Sequence, residues 1–167
     1  CGFSKKSQEN NLMRPLLLLI LASIFTSCSI LAQQANPDYD PVLAASVEAD
    51  DYGMKNYVMA ILRTGPKDSI ITDKAQRAEL FRGHMENIKR LASEKKLVVA
   101  GPFGKNDLTY RGLFILNVKT IEEARALCNT DPAVAAGIFE LTLIPWYGSA
   151  ALGEYLPSSE KVSKYKF

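Results

Sequence analysis

The chain of 167 residues is poor in the groups from which most active sites are built. It has one histidine, His84, and three cysteines, of which Cys1 and Cys28 lie in or before an apolar leader, so that Cys128 stands alone. One histidine and one cysteine cannot supply the ligand spacings of a zinc site, and a lone cysteine excludes an intrachain disulfide. No metal and no cofactor are therefore expected, and the core must hold the chain without staples. The glycine-containing segment Gly101-Pro102-Phe103-Gly104 has neither the G-x-G-x-x-G nor the GK[ST] pattern, which argues against a phosphate cradle. A surplus of either charge is missing as well. Removing Lys5, Lys6, Arg14 and Glu9 with the leader takes 20 basic and 18 acidic side chains to 17 of each. A neutral chain has no general electrostatic reason to bind nucleic acid or an anionic membrane. Arg111 to Leu116 faintly echoes the third strand of RNA-recognition domains, but most of the stacking aromatics are lacking, so no nucleic-acid partner is expected.

Long apolar runs occur once. Met13-Arg14 is followed by PLLLLILASIFTSCSILA, which reads as a secretory signal peptide, with residues 1–12 an over-extended start. Cleavage after Ala32 leaves Gln33 first; the alternative is lipid attachment at Cys28. Nothing later approaches the roughly 18 apolar residues of a membrane span, so no integral membrane segment is expected in a mature periplasmic or secreted chain.

What is present is organised around Asp73 to Phe103. Ala78, Phe81, Met85, Ile88 and Ala92 recur at spacings of three and four, with Leu80 and Leu91 widening the stripe of an amphipathic helix. Asp73 with Gln76 is its N-terminal signal. His84 falls inside the stripe and should point toward a sheet. From position alone it reads as a core residue.

Residues 33–54 form a polar lead-in with one short helix, capped by Asp40 and begun by Pro41. Residues 55–147 form the folded domain. Strands are expected over Asn56–Thr64, Leu97–Ala100, Arg111–Val118 and Ile138–Trp146, and a second helix follows the capping box Thr120/Glu123. Residues 148–167 read as a tail that docks loosely or frays. The order strand, helix, strand, strand, helix, strand specifies an α+β, ferredoxin-like βαββαβ unit, a four-stranded antiparallel sheet with two helices on one face. The strands nevertheless carry apolar residues on both sides, so the second face should be bare and buried in a homodimer.

The run RGHMENIKRLASEKKLVVAGPF, with GLFILNVKTIEEARALCNTDPAVAAGIFELTLIPW after it, resembles the YciI-like (YCII-related) family of small bacterial proteins. The resemblance covers about Lys55 to Tyr147 and rests on His84, Ala100-Gly101-Pro102, Asp131-Pro132 and Gly137. It implies a dimeric α+β barrel and a His84–Asp131 pair lining a small pocket for an unknown small molecule. Some members act on lactone-type intermediates of aromatic breakdown, including dehalogenation. On its residues alone Asp131 is a helix cap, like Asp40 before Pro41. With the resemblance, the pair becomes a dyad, His84 the proton carrier and Asp131 its orienter, suited to proton abstraction, elimination or lactone-type chemistry. Arg82, Gly101, Pro102 and Phe103 are pocket candidates, although Arg82, two residues before His84, should point elsewhere on a helix. The rival function is a non-catalytic ligand-binding or structural homodimer of the cell envelope. A pocket histidine replaced by alanine should cost little stability, and a core histidine more.

Overall fold

The computed structural model describes residues 35–159 and 161–164. The leader, the cut after Ala32 and Cys28 lie outside them. The chain divides into two units, Cys1–Tyr39 and Asp40–Phe167. The described end of the first is a turn in which the Asn36 side chain accepts from the Asp38 N–H at 3.0 Å.

The second unit starts with helix α1, Pro41–Ser46, capped by Asp40. Strand β1 spans Met54–Thr64, helix α2 Lys74–Ser93, strand β2 Leu97–Pro102 and strand β3 Tyr110–Leu116. Helix α3, Ile121–Cys128, opens on the complete Thr120/Glu123 capping box. A single-turn helix α4, Pro132–Ala135, leads into strand β4, Phe139–Ser149. The sheet is antiparallel with order β2-β3-β1-β4, the ferredoxin-like arrangement, and the class is α+β. β4 runs through Pro145 and three residues past its expected end at Trp146. Because β4 is an edge strand, the N–H that Pro145 lacks need not be missed by a neighbour. Gly137, at φ +78°, makes the turn from α4 into β4, a left-handed conformation for which glycine has no steric penalty.

The core lies between the sheet and α2, α3 and α4. Val58, Ala60, Leu62, Phe114 and Leu116 from the strands meet Leu91, Ala124, Cys128 and Ala133 from the helices. The buried stripe of α2 is turned relative to the expected one. Leu80, Phe81, His84, Asn87, Ile88 and Leu91 face inward or lie half-buried, whereas Ala78 is exposed and Met85 is 40% exposed. Besides the half-buried Arg77 near its start, the stripe carries two polar side chains, His84 and Asn87.

The second face is not wholly bare. A 3-10 turn, Ala150–Tyr155, and a short helix α5, Leu156–Ser159, fold back after β4. Leu152 and Leu156 pack on Tyr57, Val98 and Ile115. The Tyr57 hydroxyl donates to the Ser149 carbonyl at 2.9 Å, and the Tyr155 hydroxyl donates to the Val98 carbonyl. Part of the tail thus takes the role assigned to a second copy, because a short segment can cover apolar surface without the entropy of association. Met59, Ile61 and Leu113 remain half-buried and Ile144 is 41% exposed, so the face stays partly open.

Candidate functional site

Helix α2 presents His84 toward the corner where α3 ends and α4 begins. Asp131 sits at that corner as the cap of α4: its Oδ1 accepts from the Ala133 N–H at 2.9 Å and from the Val134 N–H at 3.4 Å. Its other oxygen, Oδ2, lies 2.5 Å from His84 Nδ1. Asp131 is 0% exposed, and the His84 side chain only 12%. A carboxylate accepts and does not donate, so this contact puts the neutral imidazole's proton on Nδ1 and leaves the lone pair on Nε2. No described residue makes a hydrogen bond to Nε2.

Aromatic rings set the rest of the environment. His84 lies at 6.0 Å over Phe114 of β3 with the planes 21° apart, at 5.3 Å from Phe139 of β4 and at 6.4 Å from Phe81 of α2. An imidazole among three phenylalanines, backed by a carboxylate, sits in a low-dielectric setting where that one hydrogen bond weighs more than it would in water.

The approach of α2 to the corner depends on Gly83. A Cβ there would stand 2.8 Å from Pro132 Cγ, closer than such atoms come without something shifting. Glycine inside a helix costs about 1 kcal/mol relative to alanine, and here it opens the space that lets His84 reach Asp131. One turn on, Asn87, 6% exposed, makes a second bridge to the same corner: its Oδ1 lies 2.9 Å from Thr130 Oγ1 and accepts from Arg90 Nη2 at 2.7 Å. Gly83, Asn87 and Thr130 were not singled out in the sequence. Their available signal was a glycine and an amide beside and one turn from a histidine, on a helix otherwise well formed.

The structure brings His84 and Asp131 together and leaves the other candidates elsewhere. Arg82 is on the exposed side of α2, paired with Glu79 and with Glu86 at 2.6 Å. Gly101 and Pro102 are exposed at the end of β2, and Phe103 packs on Tyr110 at 6.1 Å. No hydrogen bond, ion pair or ring contact joins any of them to His84. The arginine on the histidine's own face is Arg77, whose guanidinium lies over the Phe81 ring at 5.7 Å and donates to the Asp68 and Ile71 carbonyls, pinning the loop before α2.

Cys128, buried beside Asp131, has its thiol pushed up to about 12, first by burial and then by the Asp131 charge, with Arg125 opposing. At neutral pH it stays a thiol. A polar cleft of about 690 Å³ lies apart from His84, lined by Lys55, Asn56, Asn117, Lys119, Glu123 and Tyr147 among others. Several of its groups serve local structure. Glu123 completes the α3 cap, the Tyr147 hydroxyl donates to Asp50, and Lys55 donates to the Val47 carbonyl. Among the described residues no three histidine, cysteine, aspartate or glutamate side chains come together to hold a metal ion, and no helix is long and apolar enough to cross a membrane.

The YCII-related domain matches residues 57–147. The uncharacterized protein YjpA of Bacillus subtilis (strain 168) is 34% identical over 93 residues, 56% of this chain and 95% of that protein. Among solved structures there is a likeness to 5-chloro-2-hydroxyhydroquinone dehydrochlorinase (TftG) from Burkholderia phenoliruptrix AC1100, in complex with 2,5-dihydroxybenzoquinone. It is 19% identical, covers 53% of this chain and 92% of that one, and has a TM-score of 0.38, too distant to say what this chain binds.

Proposed function

The chain belongs to the YCII-related domain family, and we propose that it is an exported small-molecule enzyme in which His84 carries a proton and Asp131 orients it. The observation that supports this reading is the 2.5 Å contact between His84 Nδ1 and a carboxylate that is 0% exposed. A helix cap needs one carboxylate oxygen, and Oδ1 already serves. Oδ2 fixes the imidazole with Nε2 as the base, the arrangement that general acid/base catalysis requires. The chemistry is abstraction of a proton next to a carbonyl, elimination, or attack of water on a lactone-type ring: Nε2 takes the proton from the substrate carbon or from the attacking water, the imidazolium is steadied by Asp131, and the proton returns to product or to the leaving oxygen.

The alternative, a non-catalytic ligand-binding or structural homodimer of the envelope, draws on the open part of the second sheet face around Ile61, Leu113 and Ile144. Burying such a patch favours a second copy. Light scattering at micromolar concentration measures it, with twice the chain mass expected.

Export follows from the leader: intact mass from the native host should begin at Gln33, while a diacylated Cys28 would make the protein a lipoprotein.

The catalytic reading is tested by a thermal-shift screen of small carboxylic acids, lactones and phenols on wild type, His84→Gln and Asp131→Asn, each against its own baseline. A ligand that raises the wild-type melting temperature and fails on both variants supports the dyad. A ligand that shifts all three equally binds elsewhere and removes it. Glutamine is used because the site does not allow the small cost expected of His84→Ala: that change would leave a void among three phenylalanines and strip a buried carboxylate oxygen of its partner.

A further inference from the structure

Asn87 is the buried polar group that the dyad does not use. At 6% exposure, an asparagine on the inner face of a helix needs its hydrogen bonds met, yet its Nδ2 has no partner. Its Oδ1, by contrast, takes Arg90 Nη2 at 2.7 Å and stands 2.9 Å from Thr130 Oγ1. Arg90 Nη2 also donates to Thr130 Oγ1 at 2.8 Å, and Thr130 Oγ1 lies 2.6 Å from the Leu127 carbonyl. The threonine has one proton for two acceptors, Leu127 O and Asn87 Oδ1, and Arg90 ties the amide and the hydroxyl together whichever it chooses. This triangle joins α2 to the residue immediately before Asp131, one turn along the helix from His84. Residues three apart on a helix lie side by side, so the two bridges are adjacent rungs between the same two elements.

A core asparagine with an unmet N–H is a poor choice for stability alone, since an apolar side chain of similar size would avoid the orphan. We propose that Arg90, Asn87 and Thr130 are positioning residues for the His84–Asp131 pair. They hold the α3–α4 corner in register with α2, so that Asp131 Oδ2 stays on Nδ1 and Nε2 remains the base. Gly83 allows the approach and the triangle sets where it stops. The inference rests on the proposed role of His84 as a base, but it concerns the imidazole's tautomer, which can be read with no substrate at all.

Because the chain has one histidine, its imidazole gives one set of nitrogen and carbon-bound proton signals. The experiment records ¹⁵N imidazole shifts, the pH titration, and Nδ1–H exchange with water in wild type, Asn87→Leu, Thr130→Val and Asn87→Asp. The titratable group facing the ring is Asp131, with Cys128 behind it and Arg77 beyond Phe81. Wild type should show the Nδ1–H tautomer alone. In Asn87→Leu and Thr130→Val a mixture should appear, with Nδ1–H exchange faster by about tenfold. Asn87→Asp keeps the accepting oxygen and drops the orphan N–H, and should restore the wild-type tautomer and exchange, the titration being compared only among the uncharged variants because the new carboxylate acts on the ring. If either of the first two variants folds and keeps the wild-type tautomer, titration and exchange, the positioning role is overturned, whatever its stability. Should Asn87→Leu fail to fold, Thr130→Val, which exchanges one hydroxyl for a methyl group, decides alone. A wild-type Nδ1–H tautomer with no ligand found in any screen would count against the proposed enzyme and leave the positioning role standing.

Discussion

The chain uses one local device twice, and the two copies have different fates. Asp40-Pro41 and Asp131-Pro132 each place an aspartate before a proline at the start of a short helix. In each, Oδ1 accepts from the backbone N–H groups two and three residues on: 2.9 and 3.0 Å for Asp40, 2.9 and 3.4 Å for Asp131. Asp40 is exposed and its helix buries nothing. Asp131 is 0% exposed, and its second oxygen meets His84. The caps are alike because capping is a matter of four or five consecutive residues. They differ in surroundings because only one lies where another helix brings an imidazole to the free oxygen.

The largest expected effect breaks that comparison directly. Asp131→Ala removes the cap, opens a small void and leaves His84 Nδ1–H without an acceptor. It should cost about 3 kcal/mol in urea unfolding, against about 1 kcal/mol or less for Asp40→Ala. Equal losses would mean that the His84 contact adds nothing to the cap.

A middle-sized effect sharpens the comparison by asking what brings the imidazole there. Gly83→Ala gains about 1 kcal/mol of helix propensity, but pushes a Cβ to 2.8 Å from Pro132 Cγ. Overpacking of this kind should leave a net loss of about 1 kcal/mol. In a Pro132→Ala background the closest atom is gone, and the same substitution should become neutral or stabilising. If Gly83→Ala is stabilising in both backgrounds, close approach is not why glycine stands before His84.

The smallest effect is silent at neutral pH. Burial, with the neighbouring Asp131 charge, raises the Cys128 thiol from 9.0 to about 12, and burial also raises Tyr57 and Tyr155. A folded-state value above the unfolded one means that the neutral thiol stabilises the fold below pH 9, and that this contribution is lost as pH rises from about 9 toward 12. Stability measured across that window should therefore fall, and fall less steeply in Cys128→Ala. Asp131→Asn removes one of the two raising causes and should make Cys128 react sooner with a thiol reagent on alkaline titration, while Asp40→Asn changes nothing. Identical reactivity in both variants would detach Asp131 from Cys128.

The element order and the α2 and α3 start signals were legible because periodicity and caps are local. The inner stripe of α2 was read a fraction of a turn away, toward Met85, because Asn87 is polar and periodicity counts only apolar residues. Nothing local distinguishes an asparagine that bonds across to Thr130 from one that faces water. The second face of the sheet was read as bare for a similar reason. Leu152 and Leu156 are too few and too scattered to announce a packing segment, and only the reversal after Ser149 carries them to Val98 and Ile115.

By itself the sequence determined the α+β order, the caps at Asp40, Asp131 and Thr120, and the inward placement of His84, all of which follow from spacings of a few residues. It could name His84 and Asp131 together only through a family resemblance. Forty-seven residues separate them in the chain, and no propensity reaches that far. The tertiary structure decided that Oδ2 of one cap faces an imidazole while its twin faces water, that Arg82 turns to Glu79 and Glu86, and that a segment of the tail covers part of one sheet face. Those outcomes depend on which surfaces the packed core brings within hydrogen-bond reach, and that is a property of the whole fold.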